Sequence, residues 1–244
     1  MNLVPDDTGT FVKRPRYRRE ELEAKCENVM GSFLHKCYGN GDRIATEDDL
    51  TTLLESLGAL LDTDADLSSL DSAENGWTQG LTDWVDWITG RPDPRPRVYI
   101  RRGLREQRFY RYLMTLAHET SHVLCEMPAW NLAGNLIGKE SRSLRCRGAQ
   151  SFDWKDWRER QAGYCGLALL MRIRMLELRL GPRPEKSQRP SSDALQGQRL
   201  IHRVSEEFVV SFAAARCRLE SIGYLTSTSQ QLNLRLGVPA IAMH

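Results

Sequence analysis

The sequence predicts an α+β fold, mainly helical, with a small β-sheet beside one central helix and a helix-turn-helix-like pair towards the C-terminus. Three observations carry that expectation. Apolar residues recur at helical spacing through 20–38, 46–57, 104–126, 153–178, 200–208 and 212–222. Extended character is confined to 76–102, where Trp77, Gln79 and Leu81, and then Arg97-Val98-Tyr99-Ile100-Arg101, form short strand candidates. The helical stretch that follows them carries His118-Glu119-Thr120-Ser121-His122, an HExxH pattern. On a helix the two imidazoles sit one turn apart on one face, and Glu119 lies about 100° around from His118. Two nitrogens can then bind Zn2+ while the carboxylate flanks it and takes a proton from water, whose pKa zinc lowers from about 15.7 towards about 7.

With 244 residues the chain can bury one good core, or a core with a small appendage. Hydrophobic content of 41% and charged content of 27% are those of a soluble globular protein, not of a disordered or membrane-embedded chain. A net charge of +2 excludes a global field that would draw nucleic acid or a membrane surface, although arginines cluster locally. Met1 to Glu21 lacks the apolar centre of a signal peptide, and no apolar run approaches a membrane span. The six cysteines, Cys26, Cys37, Cys125, Cys146, Cys165 and Cys217, form no CxxC pair and are expected as free thiols. These features point to a cytoplasmic protein with no membrane contact.

Taken in order, residues 1–45 form a basic arm and a first helix. Lys13, Arg14, Arg16, Arg18 and Arg19 interleave with Pro15 and Tyr17, and the arm is expected to be a mobile, solvated tail in preference to a nucleic-acid contact. Leu22, Cys26, Val29, Met30, Phe33, Leu34 and Cys37 supply the stripe of the helix that follows, which Gly39-Asn40-Gly41-Asp42 ends. A core domain over 46–181 opens with Thr46, a good N-cap followed by three acidic residues, and the helix stops at Gly58. Asp62, Asp64 and Asp66 suggest calcium, but Leu67 and Ala73 occupy the EF-hand's glycine and final carboxylate places, so this segment is expected to be a loop. The strand candidates lead into the central helix over 104–126, with Pro128 beyond its end. An edge strand there can hold an extended substrate by backbone pairing, or serve simply as a structural hairpin.

A catalytic zinc site needs a third protein ligand and one open position. Glu140 lies in a loop with nothing to fix it. Glu159 starts a helix whose same face carries Ala162 and Gly163, so that helix can approach the HExxH helix closely. Glu159 is therefore the preferred third ligand. Cys125 falls near the metal-side face of the HExxH helix, where core packing is its more ordinary role.

The HExxH helix, followed by Trp157-x-Glu159-x-Gln161-Ala162-Gly163-Tyr164 and Leu169-Leu170-Met171, resembles the ImmA/IrrE family of metallopeptidases. Asp66-Leu67-Ser68, Gly76-Trp77-Thr78, Pro96 to Ile100, and Phe208 to Ser211 with Ala214, Arg218-Leu219 and Gly223 fit the same pattern. The resemblance runs from about Thr46 to Gly237. It implies a zincin-like fold and site-specific cleavage of a partner, typically a helix-turn-helix repressor, which derepresses DNA-damage, mobile-element or phage-defence genes. By position it implies His118 and His122 as metal ligands, Glu119 as catalytic base and Glu159 as third ligand. Departures are Ser121 for the usual Gly before the second His, Gly163 for the Asn found in many members, and Arg172 for the Pro after Leu-Leu-Met.

Residues 182–198 read as a linker, and 199–244 as helices packed on the core. Ser211 is the natural N-cap of the second helix, which carries Arg216 and Arg218. That pair can recognise DNA or a repressor, or can simply close the core. Arg97, Arg101, Arg102 and Arg105 with the basic arm suggest a groove for single-stranded DNA as an activating signal. Cys146, between the ligand helices, is a candidate inhibitory thiolate on zinc. His202 and Tyr164 are candidates to stabilise an oxyanion. The rival to a peptidase is a catalytically silent zincin-based sensor or DNA-binding regulator, against which the intact Glu119 argues.

Overall fold

The computed structural model of the chain describes residues 1–6, 11–71, 78–85, 92–132 and 157–227. The fold is α+β and mainly helical, with small sheets. The chain divides into two compact units, residues 1–25 with 46–166 and residues 26–45 with 167–244. None of the described helices is long and apolar enough to cross a membrane.

In the first unit β1 (Asn2–Pro5) pairs antiparallel with β2 (Lys13–Arg16), where a solvated tail was expected. The reason is Arg14, which is 2% exposed and ion-paired with Glu126 at 2.5 Å and Asp6 at 3.4 Å. Its shorter ion pair is to Glu126, far along the sequence, so local charge patterning does not reveal it. Gln161 fixes the next residues by accepting from the Tyr17 N–H and donating to the Pro15 carbonyl.

The helix α2 (Glu47–Ser56) starts with the expected Thr46 cap, closed reciprocally by Asp49 in a capping box. The acidic stretch after it is not a loop. It is β3 (Leu60–Ala65), an edge strand parallel to β5 (Pro92–Arg101), which pairs antiparallel on its other side with β4 (Gly80–Val85). Only Ala65 of β3 is buried, so the strand shows none of the apolar alternation that would betray it. The sheet packs on the central helix, where Gly80, Thr82 and Trp84 of β4 approach Thr115, Glu119 and Glu126.

That helix is interrupted where a continuous one was expected. Arg108, at φ −150° and ψ 70°, separates a short turn α3 (Leu104–Gln107) from α4 (Phe109–Trp130). Pro128 lies inside the last turn of α4 and not beyond it. The cost of a proline is limited there because few residues follow, and Ala129 and Trp130 pack onto Phe11 and Trp84.

In the second unit run the later parts of α1 (Arg19–Tyr38) and α5 (Trp157–Leu170), then α6 (Ile173–Leu180), α7 (Leu195–Glu207) and α8 (Phe212–Ile222). The continuous helix expected through Leu178 breaks at Arg172, whose φ of −60° and ψ of 143° are extended. Its buried guanidinium reaches Glu27 Oε1 at 3.0 Å, the Gly41 carbonyl at 2.5 Å and the Arg43 carbonyl at 2.9 Å. The expected linker is shorter than 182–198, since α7 begins at Leu195 and Ser191 bridges Thr226. Ser211 caps α8 by accepting from the Ala214 N–H. Arg218 is fully buried with its Nε on the Met171 carbonyl, and Arg216 engages Asp193, Ser192 and Glu220. Both arginines of the suggested recognition helix therefore serve internal bonds.

Candidate metal centre

The central helix α4 is buried along most of its length, including Thr115, Thr120 and Ser121. Two of these hydroxyls are satisfied within the helix, Thr120 Oγ1 on the Leu116 carbonyl and Ser121 Oγ on the Ala117 carbonyl, each at 2.7 Å. His118 and His122, four residues apart, therefore project from a helix that needs little outside polar help. Glu159 lies in the first turn of α5, where the helix dipole favours a carboxylate. A close approach of α5 to α4 falls at Gly166, about one turn beyond the Ala162-Gly163 patch read in the sequence. A Cβ at Gly166 would stand 3.1 Å from the His118 backbone nitrogen and 3.2 Å from the Ala117 carbonyl carbon.

The three side chains converge. His118 Nε2 lies 3.2 Å from His122 Nε2 and 3.1 Å from Glu159 Oε2, and His122 Nε2 lies 3.4 Å from Glu159 Oε1. All three residues are buried, and among the described residues they form a group of donors within 4.8 Å of one another that can hold a metal ion. Tetrahedral coordination at about 2.0–2.1 Å sets a donor–donor edge of about 3.3 Å, so these separations are those of one face of a tetrahedron. The donor set, two imidazoles and one carboxylate, fits a divalent metal of the zinc type. Burial alone would push the Glu159 carboxyl up. The charge of His122 and the hydrogen bonds to both imidazoles outweigh it and hold the group well below the usual carboxylate range.

Glu119 is 3% exposed and accepts a 2.8 Å hydrogen bond from Thr82 Oγ1 on β4. Burial pushes its carboxyl up, and the nearby imidazoles and Thr82 only partly offset this. Gly80 is needed for that approach, because a Cβ there would fall 2.7 Å from Thr115 Cγ2 and 2.8 Å from Glu119 Oε1. Glu119 is thus a buried carboxylate beside the metal-capable group, close enough in charge to feel both histidines.

One functional neighbour escaped the sequence reading. Glu126 Oε1 lies 3.3 Å from His122 Nδ1, and its spacing of four residues from His122 was the available signal. Cys125 is buried in the core, the more ordinary role expected for it, and there a hydrogen bond with the Cys165 thiol and burial push its own thiol up. No disulfide joins the five described cysteines. Cys146 and Glu140 lie outside the described residues. Tyr164 donates to Glu23 and accepts from Arg19, and His202 is an exposed partner of Glu206 on α7. Among the suggested DNA contacts, Arg101 is buried against Thr78, Leu67 and Asp71. Arg102 pairs with Asp64 at 2.8 Å and Arg105 with Glu47 at 2.7 Å, while Arg97 is half-buried on β5 and bonds Tyr99. No family model matches the chain, and no curated protein matches it.

Proposed function

We propose that the chain is a zinc-dependent endopeptidase of the ImmA/IrrE type, with a zincin-like core that cleaves a helix-turn-helix repressor and so derepresses stress, mobile-element or phage-defence genes. The observation that supports it most is the triangle of His118, His122 and Glu159 donors with Glu119 buried beside it. Zinc held there supplies an acidified water and a positive charge that polarises a peptide carbonyl.

The remaining steps belong to this chain's residues. Glu119 takes the proton from the attacking water on a carboxylate oxygen and delivers it to the leaving amine. Thr82 Oγ1 keeps that carboxylate turned towards β4. Because β4 is, among the described strands, the edge of its sheet opposite β3, an extended substrate segment can pair with it and pass next to Glu119. The raised affinity of Glu119 for a proton suits both halves of the transfer, since a weaker base would not take the proton from water near neutral pH. Activation by single-stranded DNA has thinner support, because Arg101 is internal and Arg102 and Arg105 already face carboxylates.

The test is co-expression with the helix-turn-helix protein encoded beside it, using wild type and Glu119→Gln. Cleavage by wild type alone is expected. Cleavage by both, or by neither under DNA-damaging conditions, overturns the peptidase reading and leaves a silent sensor.

A further inference from the structure

We infer that Glu126 is a positioning residue for the metal centre and that Arg14, from the N-terminal hairpin, holds it in place. The inference rests on the metal reading above and adds to it the part of the chain that tunes the site.

The argument starts at the two nitrogens of His122. Nε2 faces His118 and Glu159, so it must present a lone pair to bind a metal. An imidazole offers that lone pair in the tautomer that carries its proton on Nδ1, and an acceptor at Nδ1 fixes it. Glu126 Oε1, at 3.3 Å from Nδ1, is that acceptor. The carboxylate cannot swing away, because Arg14 Nη1 contacts the same oxygen at 2.5 Å and Trp84 Nε1 donates to Oε2 at 2.8 Å. Three elements thus meet on one carboxylate: the hairpin through Arg14, the sheet through Trp84, and α4 through His122.

The charge balance points the same way. Glu126 is buried, and a buried carboxylate needs an opposite charge beside it. Arg14 supplies that charge, and Asp6 takes another corner of its guanidinium at 3.4 Å. A buried ion pair is seldom retained for stability alone, since desolvation consumes much of the attraction. Here it presents a charged acceptor to His122 from a place where solvent cannot screen it.

The experiment uses the full chain and reads zinc affinity by competition with a chromophoric chelator, with the visible spectrum of the cobalt-substituted protein as the second readout. Glu126→Gln removes the charge and leaves Arg14 with Asp6 as its ion partner. The double variant Arg14→Met with Glu126→Gln removes both charges and leaves Asp6 with the Phe11 N–H as its donor. Wild type is expected to bind one zinc, and both variants to bind it about 10–100-fold more weakly with an altered cobalt spectrum. If the double variant recovers wild-type affinity and spectrum, Glu126 is only a structural partner of Arg14 and the inference falls. If wild type itself binds no zinc, the metal reading falls and takes this inference with it.

Discussion

Thr82 Oγ1 stands 2.8 Å from Glu119 Oε2 and 3.3 Å from the Glu119 carbonyl oxygen, so one hydroxyl on a strand reaches both ends of one helical residue. Its single proton goes to the carboxylate, the nearer and more charged acceptor. Thr82→Val keeps the shape and removes that donor. The bond favours the ionised carboxylate, so its loss raises the Glu119 carboxyl further. The acid limb of the pH–rate profile for partner cleavage should move to higher pH, with little change on the alkaline side. An unmoved acid limb would separate Thr82 from the chemistry.

Glu159 ties metal binding to acid stability. Its folded carboxyl is held well below the ordinary value of 4.5. A depressed folded value means that its contribution to stability is fully present above 4.5 and is lost as pH falls through the folded value. In the metal-free protein, acidification below 4.5 should therefore lower the Tm of wild type more than that of Glu159→Gln. Thermal unfolding of both proteins across the acid range checks this, and parallel curves would contradict it.

Gly166→Ala sets two effects against each other. Alanine gains about 1 kcal/mol in helix propensity over glycine. Its Cβ would also press on the backbone at His118 and Ala117, at 3.1 and 3.2 Å, where no flexible side chain can yield. Overpacking of this kind costs about 1–3 kcal/mol, so the net change should be destabilising. The shift of α5 should also draw Glu159 from the histidines and weaken zinc binding severalfold. A more stable Gly166→Ala protein with unchanged zinc affinity would show that the helices have slack.

Arg172→Met should cost about 2–3 kcal/mol, less than the 3–5 expected for a fully buried pair because Glu27 keeps partial contact with water. Glu27 is 29% exposed, whereas Arg172 is 2% exposed. The loss falls on the Gly41 and Arg43 carbonyls as well. Chemical denaturation gives the value, and a change under about 0.5 kcal/mol would mean that water replaces the guanidinium.

What the sequence made legible was local. Thr46 and Ser211 cap their helices with bonds spanning three residues, and such bonds follow from residue type and position. The periodicity of α4 places His118 and His122 on one face, and the helix that begins near Glu159 brings that carboxylate to them. What stayed hidden was non-local or solvent-facing. The strand β3 exposes its aspartates, so nothing in its pattern speaks of a sheet. Arginine is usually a surface residue, which is why Arg14 and Arg101 were read outward although each is buried on internal acceptors. Arg172 is a good helix former, and nothing local announces the break. Its φ of −60° is a value that proline adopts, and proline is what the resembling family usually carries there.

The depth of the histidine–glutamate triangle also sorts the protein's charges by their response to ionic strength. Arg102 with Asp64 and Arg105 with Glu47 sit in water, where added salt weakens them. His118, His122 and Glu159 are almost wholly enclosed, and mobile ions cannot enter between them. A salt titration therefore loosens the rim of the first unit while this buried triangle keeps its field.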